Sequence, residues 1–293
     1  MKKTRTIRVG SRESHLAVVQ AELIMAQIQA RHPELELELV TMKTTGDKIL
    51  DRPLDQIGGK GLFVRELDQA LLDGRIDLSV HSLKDLPMQT PEQLPLVAFS
   101  RRADPRDVLV LPKGVSTLDP NRPLGCSSKR RTRQLKALFP QMQVQGVRGN
   151  LQTRLAKLEN EGFAALVLAY AGLARLGLEA RISRVFSVEE LLPAAGQGIL
   201  AVQARAGEDV SFLDGVEDLP TRYCALAERA FVRTLDGGCS APIAAYATCA
   251  NGSLKLTGFF YEESDGIARR GSLIGRCEDA EALGERLANR LKG

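Results

Sequence analysis

Ile76-Asp77-Leu78-Ser79-Val80-His81-Ser82-Leu83-Lys84-Asp85-Leu86-Pro87 reads as an apolar strand that runs straight into a charged turn. Upstream, Leu62 to Leu72 places Leu67, Ala70 and Leu71 at helical spacing, and Gly74 follows as the stop. Further upstream, Ile7-Arg8-Val9 reads as a short strand ending in Gly10-Ser11. Leu16, Val19, Leu23 and Ala26 then recur at helical spacing, with Ser14 able to cap the start. Leu35, Leu37 and Leu39 alternate with Glu34, Glu36 and Glu38, the period of a strand with one wet face. Strands alternating with helices predict an α/β unit with a largely parallel sheet. The loop from Thr44 to Lys60 carries three glycines and is a candidate lid.

Beyond Pro87 the character changes. Four prolines from Pro87 to Pro105 mark a connection, and a second alternation begins at Asp107. Val108 to Leu111, Leu124 to Gly125 and Val144 to Val147 read as strands, Lys129 to Phe139 as a helix. Leu151 to Leu158 is a helix capped by Asn150. Ala164 to Ala169 is apolar throughout, as a central strand covered on both faces must be. Ile199 to Ala204, after Gly196-Gln197-Gly198, is a second such strand. From Pro220 the pattern is that of an antiparallel α+β module. Leu226 to Leu235 is a helix, Asn251-Gly252 and Asp265-Gly266 are hairpin turns, and Ala280 to Leu291 is a closing helix.

A chain of 293 residues is too long for one compact core and points to two or three domains. Aromatics are 4% with no Trp, which argues against a base-stacking nucleic-acid surface. The longest apolar stretch, Ala164 to Ala174, is too short to span a bilayer. The N-terminus has no signal-peptide run, so a cytoplasmic location is expected. The formal net charge of +4 is too weak to require a polyanion. Arginine is unevenly placed, however. Ser11-Arg12-Glu13-Ser14, Ser127-Ser128-Lys129-Arg130-Arg131 and Arg148-Gly149-Asn150 each lie where a strand passes into a helix. There the helix N–H groups and the guanidinium together favour carboxylates. Each alone suits an ordinary surface cap; three at sheet edges suit one ligand with many carboxylates.

Two further features bear on chemistry. Lys84-Asp85 sits in a loop at a strand end, where function concentrates, although such a pair is commonly just solvated. His81 by itself suits a structural role. Leu235-Asp236-Gly237-Gly238-Cys239-Ser240-Ala241-Pro242 leaves the backbone open in front of a thiol with no evident His partner, unlike a protease nucleophile. The five cysteines form no C-x-x-C pair, so neither zinc nor a redox dithiol is indicated; four are expected to be small buried hydrophobes.

Val80 to Pro87 closely resembles the signature loop of the hydroxymethylbilane synthase (porphobilinogen deaminase) family. Leu235-Asp236-Gly237-Gly238-Cys239 resembles its cofactor-attachment loop. Gly58-Gly59-Lys60-Gly61-Leu62-Phe63, Arg148-Gly149-Asn150, Ala171-Gly172-Leu173 and Leu192-Pro193-Ala194-Ala195-Gly196-Gln197-Gly198 match in order, over nearly the whole chain. The resemblance implies two periplasmic-binding-protein-like α/β lobes with mainly parallel sheets and a smaller α+β C-terminal domain. The boundaries would be 1–99 with 199–216, then 104–192, then 217–293. It implies a transferase that joins four porphobilinogen molecules on a dipyrromethane cofactor bound covalently to Cys239, and a monomer with no metal, nucleic-acid or membrane partner.

Asp85 and Lys84 then match catalytic positions. Arg12, Ser14, Lys84, Asp85, Ser128, Arg130, Arg131, Arg148 and Gly149 match cofactor contacts. Arg12, Gln20, Lys60, Phe63, Ser82, Arg148, Arg154 and Arg175 match substrate contacts. Gln56 and Cys126 stand where relatives carry Lys and Thr, and Lys129 is also less usual. The competing readings are a two-lobed anion-binding protein without catalysis, which leaves Asp85 and Cys239 without a purpose, and a nucleic-acid binder, which the low aromatic content disfavours.

Overall fold

The computed structural model describes residues 6–48, 64–237 and 241–293. The first lobe contains β1 (Thr6–Arg12), α1 (His15–Arg31), β2 (Glu36–Met42), α2 (Thr45–Lys48), α3 (Arg65–Leu72), β3 (Leu78–Ser82) and β4 (Leu96–Phe99). The second contains β5 (Asp107–Val110), β6 (Leu124–Gly125), α4 (Lys129–Leu138), β7 (Val144–Gln145), α5 (Leu151–Asn160), β8 (Ala165–Ala169), α6 (Tyr170–Ala174) and β9 (Arg184–Val185). The chain then returns to the first lobe as β10 (Leu200–Gln203). The remainder is α7 (Leu219–Thr234), β11 (Ile243–Ala250), β12 (Ser253–Tyr261), β13 (Ala268–Arg276) and α8 (Ala280–Lys292).

The two α/β sheets are built alike, in the orders β2-β1-β3-β10-β4 and β7-β6-β8-β5-β9. In each, three strands pair in parallel and the strands next to the crossing connections pair antiparallel. The sheets are therefore mixed, because a strand that enters from the other lobe arrives from the opposite end. Ile7, Val9, Leu78, Val80 and Val202 pack under α1 in the first core. The alternating wet face expected of β2 is present along its exposed edge. The third unit is the antiparallel sheet β11-β12-β13, with α7 and α8 packed on it through Phe231, Leu256, Leu283 and Leu287.

Several local readings hold and some shift. Asn150 accepts from Thr153 N, as a cap should. Ser14 occupies the N-cap of α1, yet its hydroxyl makes no capping bond. Asn251 and Gly252 turn the first hairpin with φ of 49° and 74°. Helix α7 begins seven residues before the expected Leu226, since Asp218 caps Thr221 N and Pro220 fits the first turn. Strand β4 lies inside the stretch read as a mere connection. Its prolines flank it rather than interrupt it. The candidate lid lies largely outside the described residues.

Two segments, 100–106 and 186–199, run between the lobes and meet where Ala103 N donates to Gly198 O at 3.1 Å. Gly198 has φ +89°, and a Cβ there would come within 2.5 Å of Ala103 O. Gly196, at φ +73°, would push a Cβ to 2.6 Å from Leu83 Cγ. A side chain at either position would pry the crossing apart.

The cysteines need one correction. Cys126 and Cys224 are buried thiols as expected, but Cys249 and Cys277 are not separate hydrophobes. They form a disulfide between the end of β11 and the turn before α8. The antiparallel β11-β12 register and Cys277 N, which donates to Gly252 O, bring the two together. Thiol titration of denatured protein is expected to give two fewer thiols before reduction than after it. Equal counts would contradict the pairing. Closing a loop of 28 residues should also add about 2–4 kcal/mol to the third unit's stability, read as a lower Tm after reduction.

Candidate active site

The charged turn expected after β3 is a single 3-10 turn, Leu83–Asp85. Leu83 and Leu86 are buried at either end and Leu83 N donates to Ile199 O, so Lys84 and Asp85 project from a fixed base. Asp85 is exposed in the cleft. It lines a pocket with Arg12 from the end of β1, Gln20 from α1 and Ser82 from the end of β3. Ser82 Oγ donates to Gln20 Oε1 at 3.0 Å. His81 lines the same pocket, with its Nε2 2.8 Å from Ser79 Oγ. Burial, with Arg12 adding to it and a bond to Gln203 opposing it, lowers its pKa to about 4. His81 is therefore neutral at pH 7 and has a structural place, as the sequence suggested.

The facing side comes from the second lobe. Ser128 caps α4 by accepting from Arg131 N. Arg130 and Arg131, on the first turn of α4, are 3% and 7% exposed and converge on Asp107 at the start of β5. Arg130 Nη1 is 2.7 Å from Asp107 Oδ2, and Arg131 Nη2 is 2.7 Å from Oδ1. Burial would raise the Asp107 pKa, but the two guanidinium charges and their hydrogen bonds outweigh it and hold the carboxyl well below the usual range. Gln197, on the second crossing segment, donates to Asp107 Oδ1 at 2.8 Å and to Pro105 O at 2.6 Å. Its Oε1 accepts from Lys84 Nζ at 3.4 Å. Lys84, Gln197 and Asp107 thus link the two lobes through one chain of bonds.

Arg154 and Arg175 complete the cleft wall. Arg154 Nε donates to Gly149 O at 2.8 Å, and Arg175 Nη2 donates to Gly198 O at 2.8 Å. Burial lowers the pKa of Arg154 and takes that of Arg175 to about 10, while the charge of Asp85 opposes both shifts. Both remain cations at pH 7 within reach of the Asp85 field. Arg148 lies beside Gly149, whose φ of +113° suits glycine. The Arg154 and Arg175 side chains are thus both turned inward rather than into solvent. Lys60, Phe63, Gln56 and Cys239 lie outside the described residues. Cys126 is buried and places its Sγ 3.8 Å from Ser128 O.

Asp107 and Gln197 were not singled out in the sequence. Asp107 had a signal, since an acid opening the apolar strand Asp107-Val108-Leu109-Val110 needs a cationic partner. Gln197 was visible only as part of a matching motif.

The cleft is a set of cations around one exposed carboxylate, which suits a ligand with several carboxylates. Arg130 Nε is buried with no hydrogen-bond partner among the described residues. Fold and cleft together define a two-lobed enzyme for polycarboxylates. Residues 7–212 match the family model described as porphobilinogen deaminase, dipyromethane cofactor binding domain, and residues 222–293 match porphobilinogen deaminase, C-terminal domain. The porphobilinogen deaminase of Alkaliphilus oremlandii is 54% identical over 287 residues, 98% of this chain and 97% of that one. That of Acetivibrio thermocellus is 54% identical over 288 residues, 98% of each. The periplasmic aliphatic sulphonate binding protein SsuA from Escherichia coli superposes with a TM-score of 0.42 at 16% identity, covering 79% of this chain and 70% of that one; so slight a likeness decides nothing.

The chain belongs to the porphobilinogen deaminase family. As a member it is a transferase of tetrapyrrole biosynthesis that uses a dipyrromethane cofactor.

Lys84 carries a pH signature. Burial lowers its pKa, Asp85 opposes that, and Arg131 adds to it, leaving a value of about 8. Lys84 is a cation below that pH and neutral above it, so its attraction for any anion in the cleft weakens as pH rises. The kcat/KM profile is expected to fall on the alkaline side near pH 8. Lys84→Arg should move that limb out of range, and an unchanged limb in that variant would contradict the assignment.

Proposed function

We propose that Asp85 is the residue at which the chemistry of each condensation is carried out, and that the surrounding cations hold the substrate and the growing chain. The supporting observation is the exposed Asp85 carboxylate, on a rigid turn, within the field of Lys84, Arg154 and Arg175. The substrate is porphobilinogen, whose acetate and propionate groups add two carboxylates per ring. Arg12, Ser82 and Gln20 line the pocket beside Asp85 and are assigned to it, as are Arg148 and the two arginines that feel the charge of Asp85, Arg154 and Arg175. Arg130, Arg131, Ser128, Ser14, Arg12, Arg148, Gly149 and Lys84 are assigned to the cofactor's carboxylates. Cys239 is assigned to its thioether, with Lys60 and Phe63 as further substrate contacts.

When bound, dipyrromethane supplies a nucleophilic pyrrole α-carbon. Asp85 in its protonated form gives its proton to the substrate's amine, which leaves as ammonia. As a carboxylate it then faces the positively charged azafulvene made from that substrate and stabilises it. After carbon–carbon bond formation it takes back the α-proton, and the ring regains aromaticity. Four rounds and a hydrolysis give hydroxymethylbilane. Lys84 positions rather than protonates, because Gln197 holds its ammonium towards the lobe junction.

The proposed division into 1–99 with 199–216, 104–192 and 217–293 is supported by the separation of the strands into three sheets. The enzyme is read as a cytoplasmic monomer without a nucleic-acid or membrane partner. No helix among the described residues is long and apolar enough to cross a membrane.

Asp85→Ala is expected to lower kcat by about 10²–10⁴-fold, with Asp85→Glu retaining part of it. The measurement is steady-state hydroxymethylbilane formation per cofactor-loaded enzyme. Near-normal turnover by Asp85→Ala would refute the assignment.

A further inference from the structure

We infer that Arg229 is a positioning residue for the reaction, fixing the Asp85 turn to the helix that leads to the cofactor-attachment loop. The inference rests on the reading of Asp85 as the reacting carboxylate.

The Asp85 turn is stitched to the first lobe on its upstream side, through Leu83 N and Ile199 O. Downstream, Pro87 has no N–H to donate, so its carbonyl is the backbone group by which that end can be held. Arg229 Nη2 donates to this carbonyl at 2.6 Å, a charge-assisted bond two residues beyond Asp85. Arg229 is 6% exposed, so the bond is shielded from water and from salt. One turn earlier on α7, the fully buried Ala225 packs in the same cluster as Leu83 and Leu86. The helix thus backs the turn with an apolar contact and a polar one. Met88, next after Pro87, packs against the core of the third unit.

Arg229 stands ten residues before Cys239 in the chain. Its neighbour Glu228, which is wholly buried, accepts from Arg102 on one crossing segment, Gly196 N on the other and Ala247 N on β11. Glu228 therefore ties α7 to the junction of the lobes, while Arg229 ties it to the reacting turn. The covalent anchor and the carboxylate have to stay in register through four additions. A bond from the helix that leads to the attachment loop to the carboxylate's own turn fixes that turn against the third unit.

The cavity beside this bond, about 320 Å³, is lined by Arg222, Arg229, Arg233 and Glu281 with Met88 and Phe99. Arg222 is already bound to Glu217, and Arg233 lies within 3.7 Å of Glu281 and Glu285, so no ligand is assigned there.

The test is Arg229→Met beside Arg229→Lys, with Asp85→Ala as a parallel control. Cofactor loading is read from intact mass, stability from Tm, and kcat and KM are expressed per cofactor-loaded enzyme. The expected result is full cofactor loading, a kcat lower by about 10–10²-fold, a KM within about threefold of the parent and partial recovery in Arg229→Lys. Parent-like kcat per loaded enzyme in Arg229→Met overturns the inference. So does turnover that falls only in step with cofactor content or folded fraction, which is what a purely structural bond would give. An active Asp85→Ala enzyme would instead overturn the carboxylate reading on which the inference rests.

Discussion

A buried carboxylate, Asp107, held between Arg130 and Arg131, is the interaction on which the geometry of the cleft depends. Taking three charges out of water is costly, and the arrangement survives only because each Asp107 oxygen accepts from a guanidinium. Deleting one partner would leave an uncompensated buried charge, a loss of about 3–5 kcal/mol. The triad has little freedom as a result. It fixes the first turn of α4, and with it the donors that the second lobe presents. Through Gln197 it also fixes Lys84 on the opposite lobe. One anion thus aligns cations from both sides of the cleft.

The same economy recurs at the junction. Glu228 is buried, and burial pushes its pKa up against the pull of Arg102 and two backbone N–H groups. Those donors come from both crossing segments and from β11, so the side chain is a knot between all three units. Gly196 and Gly198 allow the segments to lie close enough for the knot to form. An exposed Asp85 carboxylate among several cations suits chemistry in which a cation develops on a ligand held by its carboxylates.

Much of this was legible in the sequence, for specific reasons. The period-2 alternation around Leu35 to Leu39, the apolar run Ala164 to Ala169 and the caps at Asn150 and Asn251-Gly252 report local physics, and local physics decided those elements. The arginines at strand-to-helix junctions were visible in the sequence as candidate cations of a cleft. What spacing could not give was which arginines are consumed internally. Arg130 and Arg131 look identical to Arg148 until Asp107, more than 20 residues earlier, is brought beneath them. Strand β4 was hidden by its flanking prolines, and the Cys249–Cys277 pairing by a hairpin register that no short window contains. The link from Arg229 to Pro87 spans 142 positions and is a property of the packed fold alone.

An assembly line anchored at one cysteine carries its cofactor in the mass of the protein itself. The intact mass of the denatured protein, beside a Cys239→Ser variant, tests this anchoring most directly. The account predicts a mass excess equal to two linked pyrroles in the parent and none in the variant. A bare polypeptide mass in the parent, unchanged after incubation with porphobilinogen, would contradict it.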